Sequence, residues 1–433
     1  MIKVSKFGGS SVSNSKNFKL VKDIILSDEN RKVIVTSAIG KEKDKDNKVT
    51  DLLYLLYAHY KYHVNFDNVL STIKDKFVTI KNELNLKIDL EKDFNEIIEN
   101  IDLGEEYIVS RGEYLTAKML SEYLGYKFID SKDLIKFGYN SKVDYDLTTK
   151  AINALIKEND KVVIPGFYGS YPNQKICLFS RGGSDITGAI LSRCLNAILY
   201  ENFTDVDGIF MASPKIIDNP KMIDELTYDE LRELSYMGAS VINEETIYPV
   251  QIANIPINIL NTFNKDNKGT LIKKDAKGMN NIITGVAGKK DFISLNITKN
   301  KASNKIDIIS FALDILKRNK VSIESIPTSI DSFSIVVEKS SIEKKLYDII
   351  SEIKSNEDVI DLSIDDNLSL IAIVGRNMVY KPGISAKLFA LLGEEKVNIK
   401  LISQNTQELS ITIGVDNNDF TKAIKAIYNG VIL

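Results

Sequence analysis

Val4-Ser5-Lys6-Phe7-Gly8-Gly9-Ser10-Ser11 opens the chain with a short run that ends in a lysine and two glycines, and a helical pattern begins near Asn14. Such a run reads as strand, tight turn, helix. Glycines at the end of a strand let backbone N–H groups approach a phosphate, and the N-terminus of the following helix favours an anion. The same pair serves equally well as a plain tight turn. The spacing is not the G-x-x-x-x-G-K-[ST] of a Walker A loop.

Outward from this stretch the pattern repeats. Short β-branched runs at Ile2–Lys6, Lys32–Ala38, Lys161–Pro165 and Ala197–Phe203 alternate with longer amphipathic segments. That alternation predicts an α/β fold, a mostly parallel sheet with helices on both faces, over residues 1–280. Within it Lys41–Leu103 has helical periodicity and few strand signals, so it reads as a helical insertion with a polar opening at Lys41–Lys48. Asn264–Gly278, rich in Lys, Asp, Asn and Gly, reads as a linker.

From about residue 291 short strands alternate with single helices, and the pattern occurs twice. Lys320-Val321-Ser322-Ile323 superposes on Lys396-Val397-Asn398-Ile399, and the same offset places Ile293–Thr298 on Ser369–Val374 and Ser334-Ile335 on Ser410-Ile411. Each copy reads βαββαβ, giving expected domains at 291–366 and 367–433. The first closes with a strand at Val359–Asp365, whereas the second reaches Leu433 without one, so Ile282–Ala287 is the expected substitute.

Bulk properties narrow the function. A chain of 433 residues, 44% hydrophobic, exceeds what one core usually holds. The net charge of −3 carries no basic excess, so neither nucleic acid nor a membrane surface is expected as partner. The first residues lack a signal-peptide pattern and no apolar run reaches the ~20 residues that span a bilayer, which points to the cytoplasm. Cys177 and Cys194 have no metal-site or disulfide-framework spacing and read as buried small hydrophobes. His59 and His63, the only histidines, read as one helical turn apart with no third ligand nearby, so no metal site is expected and histidine acid/base chemistry is not expected either.

Three more segments carry chemistry. Phe179-Ser180-Arg181-Gly182-Gly183-Ser184-Asp185 follows a strand at Lys175–Phe179 and opens a helix, Ile186–Leu195; Ser184 or Asp185 suits an N-cap, but a cap does not explain Arg181. A guanidinium beside two glycines is suited to clamp a carboxylate with two hydrogen bonds. Thr204-Asp205-Val206-Asp207-Gly208 follows the strand Ala197–Phe203 and, in isolation, is a turn. Ser110-Arg111-Gly112-Glu113 lies in a helical stretch, where a glutamate most often faces solvent. In open α/β sheets ligands bind outside the carboxyl ends of the strands, and the three strand-ending segments converge there.

These segments resemble the aspartokinases of the amino-acid kinase family over essentially the whole chain: K-F-G-G-[ST]-S at Lys6–Ser11, S-x-G-E at Ser110–Glu113, R-G-G-S-D at Arg181–Asp185, T-D-V-x-G at Thr204–Gly208. The C-terminal repeat looks like their paired ACT domains. The resemblance implies transfer of the γ-phosphoryl of ATP, with Mg²⁺, to the side-chain carboxylate of L-aspartate. It places Lys6, Gly8, Gly9 and Ser10 on the transferring phosphates, and Thr50, Glu113, Arg181, Ser184, Asp185 and, more weakly, Ser37 around the aspartate. Arg181 would hold the α-carboxylate and Glu113 the ammonium group. Thr204, Asp205, Phe210 and Lys215 would meet the nucleotide, and Asp185 would orient Lys6 or a magnesium-bound water. Met237-Gly238-Ala239-Ser240-Val241-Ile242 departs from the pattern, with serine where relatives carry an ATP-contacting lysine.

An aspartate carboxylate, with a reference pKa of about 3.9, is already ionised at neutral pH and needs no general base. What the transfer needs is charge neutralisation and in-line positioning, which a lysine and backbone amides supply. For regulation, Asn304, Ser322, Ile323, Glu324 and Ser329 in the first repeat are the expected effector contacts, lysine favoured and threonine the second choice; Ser322 and Ser329 read equally well as turn or strand-edge residues. The resemblance implies a homodimer through the ACT domains, or a dimer of such dimers. Two rivals remain: a kinase of glutamate or N-acetylglutamate, and a non-catalytic amino-acid sensor, for which Ser240 is the main argument.

Overall fold

The computed structural model describes residues 1–42, 46–157, 160–180, 182–239, 242, 244–276, 282–301, 304–378, 381–404 and 409–432. They form two compact units, one comprising Met1–Ile209, Met222–Tyr228 and Val241–Lys277, the other Phe210–Lys221, Asp229–Ser240 and Gly278–Leu433.

The first unit is built on β1 (Lys3–Phe7), β2 (Arg31–Thr36), β3 (Lys127–Phe128), β4 (Val162–Pro165), β5 (Tyr168–Ser170), β6 (Ile176–Leu178), β7 (Leu199–Thr204), β8 (Glu225–Thr227), β9 (Ile257–Asn261) and β10 (Thr270–Lys273). Eight of them make one sheet in the order β3-β4-β2-β1-β7-β9-β10-β8, and β5 and β6 form a separate hairpin. Every pairing in the large sheet is parallel except β9 with β10. Its central strands are buried on both faces and accordingly read as apolar runs such as Val33-Ile34-Val35 and Val162-Val163-Ile164. β1 departs from that rule with Ser5 and Lys6, each buried and each given a partner: the Ser5 hydroxyl donates to Glu201 at 2.7 Å, and Lys6 pairs with Asp185.

The expected insertion forms three helices, Val49–Lys61, Asp67–Glu83 and Leu90–Glu99. Their buried residues recur at helical spacing (Leu52, Leu53, Leu56; Ile73, Phe77, Ile80; Leu90, Phe94, Ile97), so each presents one apolar face to a shared core. His63 falls outside the expected helix, two residues past Lys61 and at φ 55°, so the histidines do not form an i, i+4 pair on one helix. Among the described residues no helix is long and apolar enough to cross a membrane. Cys177 and Cys194 are free and buried.

The second unit contains β11 (Gly285–Lys299), β12 (Ser332–Glu338), β13 (Val359–Val374), β14 (Ile399–Gln404) and β15 (Ser410–Val415), an antiparallel sheet in the order β12-β11-β13-β15-β14. Two strands are shared between the sequence repeats. β11 gives its second half to the first repeat and pairs its opening residues Gly285–Lys289 with Leu370–Val374 of β13, closing the second repeat near the place expected. β13 serves reciprocally, ending the first repeat and beginning the second. One expected strand is missing: in place of a strand from Lys320, the first repeat has isolated bridges at Ser325–Val336 and Thr328–Phe333. Pro327 has no N–H to donate, which limits the ladder.

Candidate active site

A cleft of about 1000 Å³ opens where β1, β2, β4 and β7 end. After β1 the chain turns sharply: the Gly8 N–H donates to the Phe203 carbonyl of β7 at 3.1 Å, and a short 3₁₀ turn, Ser10–Val12, precedes the helix Ser15–Leu26 that Asn14 caps. The loop after β2 that packs against this turn requires glycine at position 40. A Cβ on Gly40 would sit 2.5 Å from the Gly9 carbonyl carbon, and the Gly40 N–H donates to the Gly9 oxygen at 3.0 Å. The Gly8 amide is engaged by β7, and Gly8, Gly9 and Ser10 all line the cleft.

Lys6 reaches the cleft floor. Its Nζ lies 2.5 Å from Asp185 Oδ1 and 3.4 Å from Asn202 Oδ1, with the lysine and aspartate side chains only 9% and 16% exposed. Asp185 sits in the first turn of the helix Gly183–Cys194, whose N-cap is Gly182 in the left-handed conformation; neither Ser184 nor Asp185 caps it. Gly182 adopts φ 69°, a geometry that a side chain strains, and this leaves the Asp185 carboxylate available for Lys6. Tyr200 of β7 anchors the same turn by donating to the Asp185 carbonyl at 3.0 Å.

Glu113 is buried, not solvated. It lies in the helix Glu105–Leu124, which can approach the β2 loop because Gly112 has no side chain; a Cβ there would come 2.9 Å from the Ala38 methyl. Burial pushes the Glu113 carboxyl up to about 8, against the opposing pull of backbone N–H donors, including that of Ala38, and of the Arg111 charge. Its Oε2 is buried without a hydrogen-bond partner among the described residues. Glu113 lines the cleft, and a buried carboxyl with an unpartnered oxygen at such a place suits an incoming cation.

Lys6, Gly8, Gly9, Ser10, Ser37, Thr50, Glu113, Ser184, Asp185, Thr204 and Asp205 all line this one cleft. Phe210 and Lys215 belong to the segment Phe210–Lys221 of the second unit, and Arg181 and Ser240 lie outside the described residues. The cleft also takes in Gly40, Lys48, Asp51, Tyr54 and Phe167, which the sequence did not single out. Of these only Gly40 carried a signal, a glycine directly after a strand and its small-residue end. In the second unit Asn304 caps the helix Lys305–Arg318, the Glu324 N–H donates to Val336 at 2.8 Å, and the Ser329 carbonyl accepts from Lys305. These contacts give Glu324 and Ser329 structural employment in the irregular edge of the first repeat.

Among the described residues no three His, Cys, Asp or Glu side chains are grouped to hold a metal ion. The carboxylates at the cleft are hard oxygen donors, suited to a magnesium ion carried in on phosphates and not to a closed protein cage.

The sequence model of the amino acid kinase family matches residues 1–261, and that of an ACT domain matches residues 371–430. The first match alone spans more than half of the chain. The chain belongs to the amino acid kinase family. Within that family it groups with the aspartokinases. It is 33% identical over 444 residues to aspartokinase 3 of Bacillus subtilis, covering 99% of this chain and 98% of that protein. The crystal structure of Clostridium acetobutylicum aspartate kinase superposes with a TM-score of 0.95 at 44% identity, covering 99% of this chain and 100% of that one. The Escherichia coli aspartokinase III solved with aspartate and ADP shares the fold at 21% identity, with a TM-score of 0.80 and full coverage of both chains. The fold is thus that of the amino acid kinases followed by two ferredoxin-like ACT domains.

Proposed function

We propose that this member of the family is an ATP-dependent aspartate kinase that forms 4-phospho-L-aspartate, with the cleft at the end of β1 as its active site. The observation that carries this reading is the joining, in one cleft, of a buried lysine beside a glycine turn with a buried glutamate that has an unpartnered oxygen. The first suits a phosphoryl group, the second an ammonium group. Glutamate and N-acetylglutamate kinases are the nearest alternatives, and N-acetylglutamate has no ammonium for Glu113 to meet.

In this reading Lys6 and the amides of Gly9 and Ser10 hold the transferring phosphates, with Gly8 contributing the absence of a side chain. Thr50, Ser184, Ser37 and Arg181 surround the aspartate, whose ammonium faces Glu113. Thr204 and Asp205 meet the nucleotide, and the family resemblance adds Phe210 and Lys215 to its contacts. The attacking carboxylate is ionised and needs no base, so the protein's task is alignment and charge compensation. Mg²⁺ on the nucleotide would supply the further positive charge, with Asp185 and Asp205 among the hard oxygen donors of the cleft that would hold it. Residues 1–280 act as the catalytic part, and 291–366 and 367–433 as regulatory modules. Lysine is the favoured effector and threonine the alternative, at Asn304, Ser322, Ile323, Glu324 and Ser329. A cytoplasmic homodimer formed through those modules completes the proposal.

The test is ADP release in a coupled assay with Mg²⁺-ATP, comparing L-aspartate, glutamate and N-acetylglutamate, with lysine or threonine added in turn. Turnover confined to aspartate, lost in Lys6→Ala, supports the reading. Folded protein that releases no ADP with aspartate at millimolar ATP would overturn it in favour of a sensor.

A further inference from the structure

We propose that Asn202 is a positioning residue of this site, fixing the Lys6 ammonium and the Asp185 carboxylate in one arrangement. The proposal rests on the reading of Lys6 as the phosphate-binding cation.

Sheet register creates the arrangement. β1 and β7 are parallel neighbours, and Ser5 stands opposite Glu201, Lys6 opposite Asn202, and Phe7 opposite Phe203. Alternation along a strand sends Ser5 and Phe7 to one face with Glu201 and Phe203, and Lys6 to the other face with Asn202. The first face is occupied by the Ser5–Glu201 hydrogen bond and by the Phe7 and Phe203 rings, stacked with centroids 4.7 Å apart. The second face puts an amide beside the lysine.

A buried asparagine is a poor choice for a central strand of a parallel sheet, where an aliphatic residue packs without an unmet polar group. Asn202 is only 3% exposed, and both ends of its amide are used. Its Oδ1 accepts from Lys6 Nζ at 3.4 Å, and its Nδ2 donates to Asp185 Oδ1 at 3.0 Å. That same carboxylate oxygen lies 2.5 Å from Lys6 Nζ, so three buried groups close a ring. Reversing the amide would point its NH₂ at an ammonium and its carbonyl at a carboxylate, and both contacts would repel.

An ammonium has three donors on a flexible stem. Asp185 and Asn202 take two of them and thereby set the direction of the third. A Cβ on Gly8 would stand 3.5 Å from Nζ, so the glycine keeps the space next to the ammonium open for a ligand. Being neutral, asparagine does this without weakening the field of the lysine. A second carboxylate at the same place would orient Lys6 equally well but leave the cluster net negative, facing a polyphosphate.

That contrast supplies the experiment on the full-length protein. Asn202→Leu and Asn202→Asp are compared by kcat, by KM for ATP and for aspartate, by calorimetric binding of Mg²⁺-ADP, and by melting temperature. Asn202→Leu is expected to lower kcat about tenfold with KM for aspartate within about twofold, the mark of a misdirected group. Asn202→Asp is expected to weaken Mg²⁺-ADP binding and raise KM for ATP by about tenfold or more, through like-charge repulsion. Asn202→Leu is expected to weaken Mg²⁺-ADP binding about fivefold in the otherwise unaltered protein but by less than about twofold in a Lys6→Met background, because the residue acts through Lys6. Wild-type kcat in Asn202→Leu overturns the proposal. So does an equal loss of kcat and both KM values in the two variants together with a lowered melting temperature, which would mean a packing role only. If the unaltered enzyme released no ADP with aspartate, the kinase reading would fall, and the ADP-binding comparison would still decide whether Asn202 acts through Lys6.

Discussion

Glu113 and Glu230 are both buried glutamates, 4% and 0% exposed, one in each compact unit. Their surroundings differ in one respect that matters. Glu230, in the helix Tyr228–Tyr236, accepts from the Arg376 guanidinium at 2.5 Å and from the Thr284 hydroxyl at 2.5 Å. One turn further along the same helix, Glu233 accepts from Ser410 at 2.8 Å. Glu113 has backbone donors on one side, no ion pair among the described residues, and an unpartnered Oε2. A buried carboxylate that is paired inside the chain is a clasp; one left short of a cation is a socket for a ligand that brings one.

The largest effect that tests this contrast is at the clasp. Removing one partner of a buried pair leaves the other uncompensated and typically costs about 3–5 kcal/mol. Glu230→Ala is therefore expected to destabilise the second unit by that order, read as faster amide hydrogen exchange at 284–288 and 371–376. The aspartate KM should stay within about twofold. A stability change below about 1 kcal/mol would show that the clasp does not hold the unit together.

At the socket the same kind of change should act in the opposite sense. Glu113→Gln removes a carboxyl that burial holds against ionisation, so the ligand-free protein should gain stability at pH 8 and lose little at pH 5. The aspartate KM should rise about 10- to 100-fold, the worth of one charge-assisted hydrogen bond of ~1.5–3 kcal/mol, while KM for ATP holds. An unchanged aspartate KM would remove Glu113 from the substrate site.

How much of this could be read in advance follows from the kind of contact involved. The strand, the Gly-Gly turn and the helix around Lys6 are local, and local chemistry writes them into consecutive residues. The two regulatory repeats were visible because their apolar patterns recur at one offset. The closing strand of the second repeat was misplaced by only a few residues, yet the reason for its absence from the C-terminus lies in β11 and β13 each serving both repeats. Asn202 was invisible, because a lone asparagine between Glu201 and Phe203 acquires meaning only from the register of β7 on β1. Position in a helix alone made Glu113 a surface glutamate and only the family resemblance put it at the substrate; its burial comes from Gly112, which lets the helix close on Ala38. The caps at Ser184 and Asp185 were plausible by residue type, and a left-handed glycine took that place.

The smallest expected effect is also the one that separates socket from clasp most directly, since it needs no substitution. With its folded pKa raised from 4.5 to about 8, Glu113 is largely protonated at neutral pH in the ligand-free protein. For an acid so shifted, the folded state binds more protons than the unfolded state between about pH 4.5 and 8, so its contribution to stability is greatest below that window and declines as pH rises through it. Ligand binding runs the other way. An ammonium next to the carboxyl favours the ionised form, so aspartate must displace a proton to bind at low pH and need not do so above pH 8. If only the ionised form binds aspartate, its apparent affinity should improve about 15-fold between pH 6.5 and 8, and Glu113→Gln should abolish that slope. Calorimetry of aspartate in two buffers of different ionisation enthalpy reads the same event as proton release. The pair at Glu230 predicts none of this. A flat pH profile with no released proton would mean that Glu113 is already compensated, and the distinction drawn between the two glutamates would fail.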